Sequence, residues 1–292
     1  FGSVSVATAA AADLTVTMGV AKPALLLPPA ALLAGTILTV DLGLDLGPLP
    51  ADVQRLDAQE VRALWTVPGP RSHKYSRGVV GVLAGSDLYP GAAVLATAAA
   101  APLAGMVRYL GPPAVAAAVL ARTPEAVHGA GQVQAWVIGS GVGVTDGDRL
   151  AQAREALEQA MALGLPTVVD AGGLQVLPGS GQLGGHVVLT PHAGELARLL
   201  SARGHAVTRE EIEARPLTHL RLAVDLTGAT VVLKGAVTLV AGPGTPVYSQ
   251  AAGSHWLATA GAGDVLAGVL GAALAGRSAD IVADSSLAAP LA

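Results

Sequence analysis

The sequence predicts an α/β protein with a mostly parallel central sheet, helices on both faces and an antiparallel edge. From residue 78 onward, short β-branched runs alternate with longer alanine- and leucine-rich segments, which is typical of parallel strands joined by helices. Three short runs within 230–248 are separated only by tight glycine turns, which predicts antiparallel pairing. Hydrophobic residues make up 52% of the chain and aromatic residues only 3%, so Ala, Val and Leu must fill the core.

The predicted elements follow one another in a regular order. A strand at 78–83 leads through a turn at 84–91 into a helix that ends near 104. The further predicted strands are 106–110, 134–138, 166–170, 186–190, 230–234, 237–240 and 245–248. The further predicted helices are 147–163, one beginning at 194, the stretch 209–226 and one after 261 that continues to 274. Ligands of such a sheet bind in the crevice at the carboxyl ends of the strands.

The first part of the chain does not form a complete unit by itself. Within 1–46, the Leu/Pro/Ala segment 24–33 and a predicted strand at 35–41 have no core of their own. Gly, Pro and Asp cluster after this strand, so we predict a linker at 47–56. Because the chain begins without Met, we expect it to begin inside a longer protein.

The main domain is predicted over 57–292. It opens with a short helix, capped by Asp57 with Glu60 in the capping-box position, that ends at Leu64. The regular pattern is lost after Arg277, so we expect the final helix of the domain to be missing.

Composition excludes several classes of function. The chain has no Cys, which excludes disulfides, thiolate catalysis and cysteine metal sites. The net charge of -4, without a basic stripe, argues against nucleic acid as the partner. Gly, Pro or charge interrupts each apolar run, so no membrane span or signal peptide is expected. We therefore expect a cytoplasmic enzyme for small molecules, and its alanine-rich helical faces favour a homo-oligomer.

One stretch near the end of the chain has the character of an anion site. Gly261 and Gly263 lead into an apolar segment that continues to Leu274, so a glycine turn opens a buried helix. The first amides of a helix have no partners within it and can hold a phosphate. Asp264 beside such a site costs Coulomb energy unless it takes a proton from a hydroxyl or helps to hold a metal. The alternative is an ordinary cap or first-turn acid.

Other polar or glycine-rich positions fall at the predicted strand ends. Any one of these residues could simply be part of a tight turn, a helix cap or a solvated side chain, but together they indicate a site. The glycines at 139, 141 and 143 do not form a dinucleotide fingerprint, because the third glycine comes one residue too early. With no dense ligand spacing, only a hydrated Mg2+ shared with phosphates is plausible as a metal. The positions are Asp87, Tyr89, Gly139, Gly141, Gly143, Asp170, His192, Glu195 and Lys234.

Seven motifs together resemble the ADP/ATP-dependent NAD(P)H-hydrate dehydratases of the ribokinase-like superfamily. They occur in the order of that family and lie at 72–78, 85–92, 139–143, 170–174, 189–195, 232–236 and 260–264. The resemblance covers roughly 57–275. Residues 12–23 and 40–43 further resemble the tail of the NAD(P)H-hydrate epimerase domain that precedes the dehydratase in bifunctional proteins. The epimerase active site would lie before Phe1, so epimerase activity is not expected from this chain.

The resemblance implies a ribokinase-like fold and a cofactor repair reaction. Hydrated NADH or NADPH in its S form would be dehydrated to the working cofactor by phosphorylation of the ring hydroxyl and elimination of phosphate. Asp264 would be the catalytic base, and the amides of Gly261, Ala262 and Gly263 would form the anion hole. ADP or ATP would be the co-substrate and would carry Mg2+, with no direct metal ligand from the protein.

The resemblance also assigns binding residues. The hydrated nicotinamide nucleotide would contact Ala92, Gly141, His192 and Asp264. The adenosine nucleotide would contact Lys234, Gly235, Ala236, Val237, Thr238 and Gly263. Asp170 and Glu195 would have a supporting role.

The sequence departs from the family pattern at three places. Gly-Ser-Gly-Val-Gly stands at 139–143 where Gly-Pro-Gly-Leu-Gly is the family form, Ala262 stands where Thr is more usual, and Ser-His-Trp stands at 254–256 where Asn-Pro-Gly is more usual. Two other functions stay open at this point. One is a ribokinase-like kinase of a small alcohol or vitamin precursor, whose phosphorylated product would persist. The other is a non-catalytic nucleotide-binding module, which would bind both nucleotides without releasing phosphate.

Overall fold

The fold is built on a ten-stranded sheet, with a separate two-stranded sheet near the start of the chain. The computed structural model describes residues 10–45, 51–251 and 253–292. Residues 1–9 and 46 of the predicted first domain, and 47–50 of the predicted linker, therefore lie outside the described part. The strands are β1 (Leu14–Met18), β2 (Thr36–Val40), β3 (Val53–Gln54), β4 (Val79–Leu83), β5 (Met106–Tyr109), β6 (Val127–His128), β7 (Ala135–Ile138), β8 (Thr167–Val169), β9 (Val187–Leu189), β10 (Thr230–Leu233), β11 (Thr238–Ala241) and β12 (Val247–Gln250).

Helices connect most of these strands. They are α1 (Pro23–Leu26), α2 (Ala58–Leu64), α3 (Pro90–Ala100), α4 (Pro113–Arg122), α5 (Gly147–Ala162), α6 (Ala193–Ala202), α7 (Arg209–Ala214), α8 (Pro216–Thr227), α9 (Ala262–Gly276), α10 (Ser278–Ala283) and α11 (Ala288–Leu291). None of the helices in the described residues is both long enough and apolar enough to cross a membrane.

The large sheet has the order β3-β12-β11-β10-β9-β8-β7-β4-β5-β6. Its neighbouring strands run parallel except at β10-β11 and β11-β12, which are antiparallel. The predicted fold class, a mostly parallel sheet with an antiparallel edge, is thereby confirmed. All parallel strands from β4 to β10 end on the same edge, so the loops after them meet there.

The core lies in two layers, one on each face of the large sheet. Successive residues of a strand point to opposite faces, so Val79 belongs to one layer and Val80 to the other. The first layer packs α5, α6, α7 and α8 on the sheet, and the second packs α3, α4 and α9 together with α10 and α11. Burial on both faces explains why the central strands are continuous apolar runs rather than alternating ones.

Helix α9 lies in the middle of the second layer, against α3 and the central strands β4, β7 and β8. Its contact with α3 is made of small residues, since Ala93, Ala96 and Ala100 of α3 are fully buried. A Cβ atom on Gly268 would lie 2.2 Å from the Ala96 carbonyl oxygen, so only glycine permits this approach. The two helices are therefore in backbone contact.

Several elements differ from the sequence prediction. Helix α4 and strand β6 were not predicted, and β6 forms the outer edge of the large sheet next to β5. The predicted helical stretch 209–226 is two helices, because Pro216 lacks an N–H and cannot continue α7. Residues 278–291, where the pattern was expected to be lost, form the short helices α10 and α11, with Ile281 and Ala288 fully buried in the second layer.

The first part of the chain contributes both to its own small sheet and to the large one. Strands β1 and β2 pair in parallel, and β2 lies within the strand predicted at 35–41. Strand β3 lies within the predicted linker 47–56 and pairs in parallel with β12 at the edge of the large sheet. The predicted capping box is present, since Asp57 accepts from the Gln59 and Glu60 amides and Glu60 accepts from the Asp57 amide. The division into two domains stays a prediction.

Candidate active site

The N-terminus of α9 presents unpartnered amides at the carboxyl edge of the large sheet. Its N-cap, Gly261, has φ 88° and ψ -14°, and no side chain of a described residue caps the helix. The Ala262 amide reaches the Thr259 carbonyl only at 3.4 Å, which is a weak hydrogen bond. The first turn of a 15-residue helix therefore has donors and a positive dipole end available for an anion.

Asp264 lies in this first turn and is half-buried. Burial raises the pKa of Asp264 above its usual value, the nearby Asp170 carboxylate raises it further, and the Lys234 ammonium partly offsets both. Within the described part of the chain, no hydrogen bond to the Asp264 carboxylate is found. A carboxylate with a raised pKa and no partner is suited to accept a proton.

Asp170, unlike Asp264, has hydrogen-bond partners among the described residues for both of its carboxylate oxygens. It is 2% exposed. Its Oδ1 accepts hydrogen bonds from Thr190 Oγ1 at 2.7 Å and Lys234 Nζ at 2.8 Å, and its Oδ2 accepts from Ser140 Oγ at 2.9 Å. It occupies an N-cap position but makes no capping hydrogen bond, so the reading of Asp170 as an ordinary cap is wrong. The carboxylate instead ties the ends of β7, β8, β9 and β10 together.

Lys234 is held between two acidic residues rather than being solvated. Besides Asp170, its Nζ lies 3.8 Å from Glu195 Oε2, and its side chain is 22% exposed. A Cβ atom placed on Gly263 would lie 3.6 Å from the same Nζ. The ammonium therefore sits directly beside the first turn of α9, with part of its surface open.

His192 and Glu195 form a capping box at the start of α6. His192 Nδ1 accepts from the Gly194 and Glu195 amides at 3.0 and 3.2 Å, and Glu195 Oε2 accepts from the His192 amide at 2.8 Å. Because Nδ1 is an acceptor, the proton of the neutral ring is on Nε2, 3.6 Å from Glu195 Oε1. The cap thus leaves the half-exposed side of the imidazole free to donate a hydrogen bond.

Ala92 and Gly141 meet on the other side of the site. Gly141 has φ 66°, and a Cβ atom there would lie 2.3 Å from the Ala92 Cβ and 3.0 Å from the Tyr89 carbonyl oxygen. The Gly141 carbonyl accepts from Ser86 Oγ at 2.9 Å. Only glycine fits at 141, where the backbone packs against the methyl group of the buried Ala92.

The remaining predicted nucleotide contacts lie in the turn between β10 and β11. Gly235 and Ala236 are exposed and Thr238 is half-buried. The Val237 side chain is buried in the first core layer, so only its backbone is available to a ligand.

Sequence reasoning missed three side chains that organise this edge. The Ser140 and Thr190 hydroxyls hold Asp170, and Arg149 of α5 reaches the carbonyls of Ala84 and Gly85. The hydroxyls had a weak signal, since both residues adjoin predicted strand ends. Arg149 had none, because an arginine near the start of a charged helix is usually on the surface.

The acidic residues of the site fit a metal carried by phosphates better than one bound directly. In the described ranges, no group of three or more His, Asp or Glu side chains is arranged to hold a metal ion. The carboxylates of Asp170 and Glu195 already accept from donors of the protein. A Mg2+ ion here would take its ligands mainly from a nucleotide and water.

The chain is similar to proteins of one enzyme family. Residues 80–290 match the family Carb_kinase, described as NAD(P)H-hydrate dehydratase. The bifunctional NAD(P)H-hydrate repair enzyme Nnr of Mycobacterium tuberculosis H37Rv is 47% identical over 274 residues, 90% of this chain and 54% of that protein. The ADP-dependent (S)-NAD(P)H-hydrate dehydratase of Neisseria meningitidis is 36% identical over 219 residues, 70% of this chain and 71% of that protein.

A solved structure agrees with these sequence relatives. The ADP/ATP-dependent NAD(P)H-hydrate dehydratase of Bacillus subtilis, co-crystallised with ATP and Mg2+, superposes with a TM-score of 0.66 at 26% identity, covering 82% of this chain and 86% of that one. The chain spans about half the length of the bifunctional mycobacterial relatives that it matches.

Proposed function

The chain belongs to the NAD(P)H-hydrate dehydratase family, and we propose that it restores NADH or NADPH from the (S)-hydrate at the expense of ADP or ATP. The observation that carries the proposal is the position of Asp264. Its half-buried carboxylate has a raised pKa, lacks a hydrogen-bond partner among the described residues and stands in the first turn of an uncapped helix. A base beside an anion site is the arrangement that phosphoryl transfer to a hydroxyl needs.

Asp264 acts in the first step. Its carboxylate takes the proton of the hydroxyl that hydration left on the nicotinamide ring. The hydroxyl oxygen forms a bond to the terminal phosphorus of the nucleotide, and the bond from that phosphorus to the bridging oxygen breaks. The carbon–oxygen bond of the phosphorylated ring then breaks and phosphate leaves with the electron pair. The neighbouring carbon gives its proton to water, and the electrons of that carbon–hydrogen bond restore the double bond.

The phosphoryl group is held by the backbone and by Lys234. The amides of Gly261, Ala262 and Gly263 would stabilise charge on its oxygens, which the uncapped start of α9 supports. Lys234, which Asp170 and Glu195 hold in place, adds a fixed positive charge next to them. Mg2+ bound with the nucleotide supplies further neutralisation of the phosphates. The exposed turn of Gly235 and Ala236 continues this side towards the nucleoside.

The hydrated ring lies on the opposite side. The backbone of Gly141, packed against the Ala92 methyl group, would receive the ring, and Nε2 of His192 would donate to a polar group of the substrate. The site therefore divides into a nucleotide side, at α9 and Lys234, and a hydrate side, at Ala92 and Gly141.

A single assay tests this function. Purified (S)-NADH hydrate is incubated with the protein, Mg2+ and either ADP or ATP, and the reduced-nicotinamide absorbance is followed. We expect absorbance to recover with at least one nucleotide and not without any. A phosphorylated hydrate that accumulates without recovery would identify a kinase instead. Binding of both nucleotides with no phosphate release would identify a non-catalytic module.

A cytoplasmic location and a homo-oligomeric state complete the proposal. Light scattering of the purified protein measures the subunit number directly.

A further inference from the structure

Arg149 is a charged residue buried behind the hydrate side of the site. It is the third residue of α5 and is 4% exposed. Its amide donates to the Asp146 side chain, which caps the helix. Burying a guanidinium is costly unless its donors are satisfied. Its partners therefore indicate what the charge is kept for.

The guanidinium binds backbone carbonyls at the ends of two neighbouring strands. Nε donates to Gly85 O at 3.1 Å, and Nη2 donates to Ala84 O at 3.0 Å and Leu110 O at 3.3 Å. Its remaining nitrogen, Nη1, donates to Gln152 Oε1 at 2.5 Å. The segment after β4 is thus fixed to the end of β5 by a single planar group.

Tyr109 reinforces the same point. Its hydroxyl donates to Ala84 O at 3.0 Å, and burial raises the pKa of Tyr109 to about 12, against a smaller opposing effect of the Arg149 charge. The hydroxyl therefore stays protonated at neutral pH and remains a donor. Two buried side chains thus converge on one carbonyl of a turn.

This turn is in direct contact with Gly141. The Gly85 amide donates to Ser140 O at 2.7 Å, and Ser86 Oγ donates to Gly141 O at 2.9 Å. The Gly85 Cα lies 3.3 Å from the position of a Cβ atom on Gly141. A shift of the turn would consequently move Gly141, and with it the surface that Gly141 shares with Ala92.

We propose that Arg149 is a positioning residue for the hydrated nicotinamide, which fixes the 84–86 turn and through it Gly141 without touching the substrate. The inference rests on the proposed function, since it concerns the hydrate side of that site. The guanidinium itself contacts only the hydrate side, whereas Asp170 and Lys234 hold the nucleotide side. The two sides are linked through Ser140, which accepts from the Gly85 amide and donates to Asp170. Arg149 therefore affects the hydrate more strongly than the nucleotide.

Arginine is required because one guanidinium donates to three backbone carbonyls at once, those of Ala84, Gly85 and Leu110. A guanidinium presents five donors in a rigid plane, whereas a lysine ammonium is a flexible point charge with three. Arg149→Lys keeps the charge but cannot reproduce the fork. It is the variant that separates positioning from charge.

The experiment measures the KM for (S)-NADPH hydrate and the KM for ADP or ATP separately. For Arg149→Lys we expect the hydrate KM to rise by about tenfold or more, in keeping with the loss of charge-assisted hydrogen bonds, and the nucleotide KM to stay within about twofold. Arg154→Lys, on the exposed face of α5, is the matched control and should change neither. Guanidinium chloride at millimolar concentration should lower the hydrate KM of Arg149→Ala.

A second variant covers the case in which Arg149 variants do not fold. Ser86→Ala removes the hydrogen bond to Gly141 O while leaving Arg149 in place. It should raise the hydrate KM in the same selective way, by a smaller factor. Circular dichroism and melting curves of all variants identify those that are folded.

Titration calorimetry with the hydrate and no nucleotide separates this inference from the proposed function. If the wild-type protein binds the hydrate but does not dehydrate it, the proposed function fails, and the Kd ratio between Arg149→Lys and wild type still decides the role of Arg149. Three results would overturn the positioning role of Arg149. They are equal increases in both KM values, an unchanged hydrate KM or Kd, and a lower rate that is explained entirely by a smaller amount of folded protein. A wild-type protein that does not bind the hydrate would overturn it as well.

Discussion

The two carboxylates at the centre of the site, Asp170 and Asp264, lie close enough for the Asp170 charge to raise the pKa of Asp264, yet they have opposite surroundings. Asp170 is buried and accepts three hydrogen bonds from Ser140, Thr190 and Lys234. Asp264 is half-buried and, in the part of the chain that the structure describes, accepts none. A satisfied carboxylate stabilises a scaffold, and an unsatisfied one is available for proton transfer. The difference therefore separates a residue that builds the site from one that acts in it.

The largest effect should come from removing the unpaired carboxylate. Asp264→Asn is nearly isosteric, so both nucleotides should still bind, but turnover should fall by about 10²- to 10⁴-fold because the general base is lost. Absorbance recovery gives the rate, and calorimetry gives both affinities. Unchanged turnover would remove Asp264 as the base, and the contrast with Asp170 would lose its functional meaning.

Breaking the paired carboxylate should affect stability as well as binding. Lys234→Ala leaves the buried Asp170 carboxylate with only two hydroxyl partners, which should lower the free energy of unfolding by about 2 to 4 kcal/mol. It should also weaken the binding of ADP or ATP. Denaturant melts measure the loss of stability, and calorimetric titration measures the nucleotide affinity. The exposed ion pair of Arg209 and Glu213 is a suitable control, since Arg209→Ala should leave the free energy of unfolding nearly unchanged. Weaker binding of the hydrate alone would show that our division of the site is wrong.

The hydrate side can be tested by shape alone. Gly141→Ala combines a positive φ with a 2.3 Å approach to Ala92, so it should raise the hydrate KM by about tenfold or more. Gly143→Ala in the same loop is the control, because a Cβ atom there would lie 3.6 Å from the Asp146 Cβ in ordinary contact. Similar KM values for the two variants would argue against a ring site at Gly141.

A smaller effect concerns stability and pH. Because the pKa of Asp264 is raised in the folded state, the folded protein binds its proton more tightly than the unfolded chain. Stability is therefore lost as pH rises from about the usual value of 3.8 through the raised pKa. Asp264→Asn should melt at a higher temperature than wild type at pH 7, and the difference should shrink as the pH is lowered towards 3.8. Equal melting temperatures at neutral pH would show that the unpaired carboxylate has no cost.

The smallest effect should come from His186, a half-buried side chain away from the site. It precedes β9, at the opposite edge of the sheet from the site, and its Nε2 has no partner among the described residues. Burial lowers the pKa of His186 below 6.5, so the unfolded chain binds the proton more tightly and stability falls as pH decreases from 6.5 through the lowered value. Melting curves of His186→Phe should lack this part of the acid destabilisation while activity is retained. Loss of activity in this variant would mean that an unpartnered polar group outside the site also matters for activity, so that lacking a partner does not set Asp264 apart.

The positions of polar residues after predicted strands were sufficient to predict which side chains would lie together at this edge of the sheet. Asp170, His192 and Lys234 were predicted from their places after parallel strands, and β8, β9 and β10 do bring their ends together. The contact between Gly141 and Ala92 was not predictable from spacing, because it depends on how the turn after β4 packs on the loop after β7. Their roles in binding stay predictions until they are measured.

What the sequence did not reveal depends on contacts between distant segments. Arg149 contacts carbonyls about 40 to 65 positions earlier in the chain, and backbone acceptors leave no mark in a sequence. Short elements were missed for a related reason. Helices α10 and α11 are too short to show a periodic pattern and are held by the core around Ile281 and Ala288.

The close packing of α3 on α9 has a consequence for the distance between the two proposed binding positions. Ala92 stands in the first turn of α3 and Asp264 in the first turn of α9, and the two helices touch at Gly268 and Ala96. With the ring at Ala92 and the phosphoryl group at Asp264, as proposed, the distance between the two reactants would be set by the closest approach of two helix backbones. A larger side chain between α3 and α9 can increase that distance, but no substitution there can decrease it.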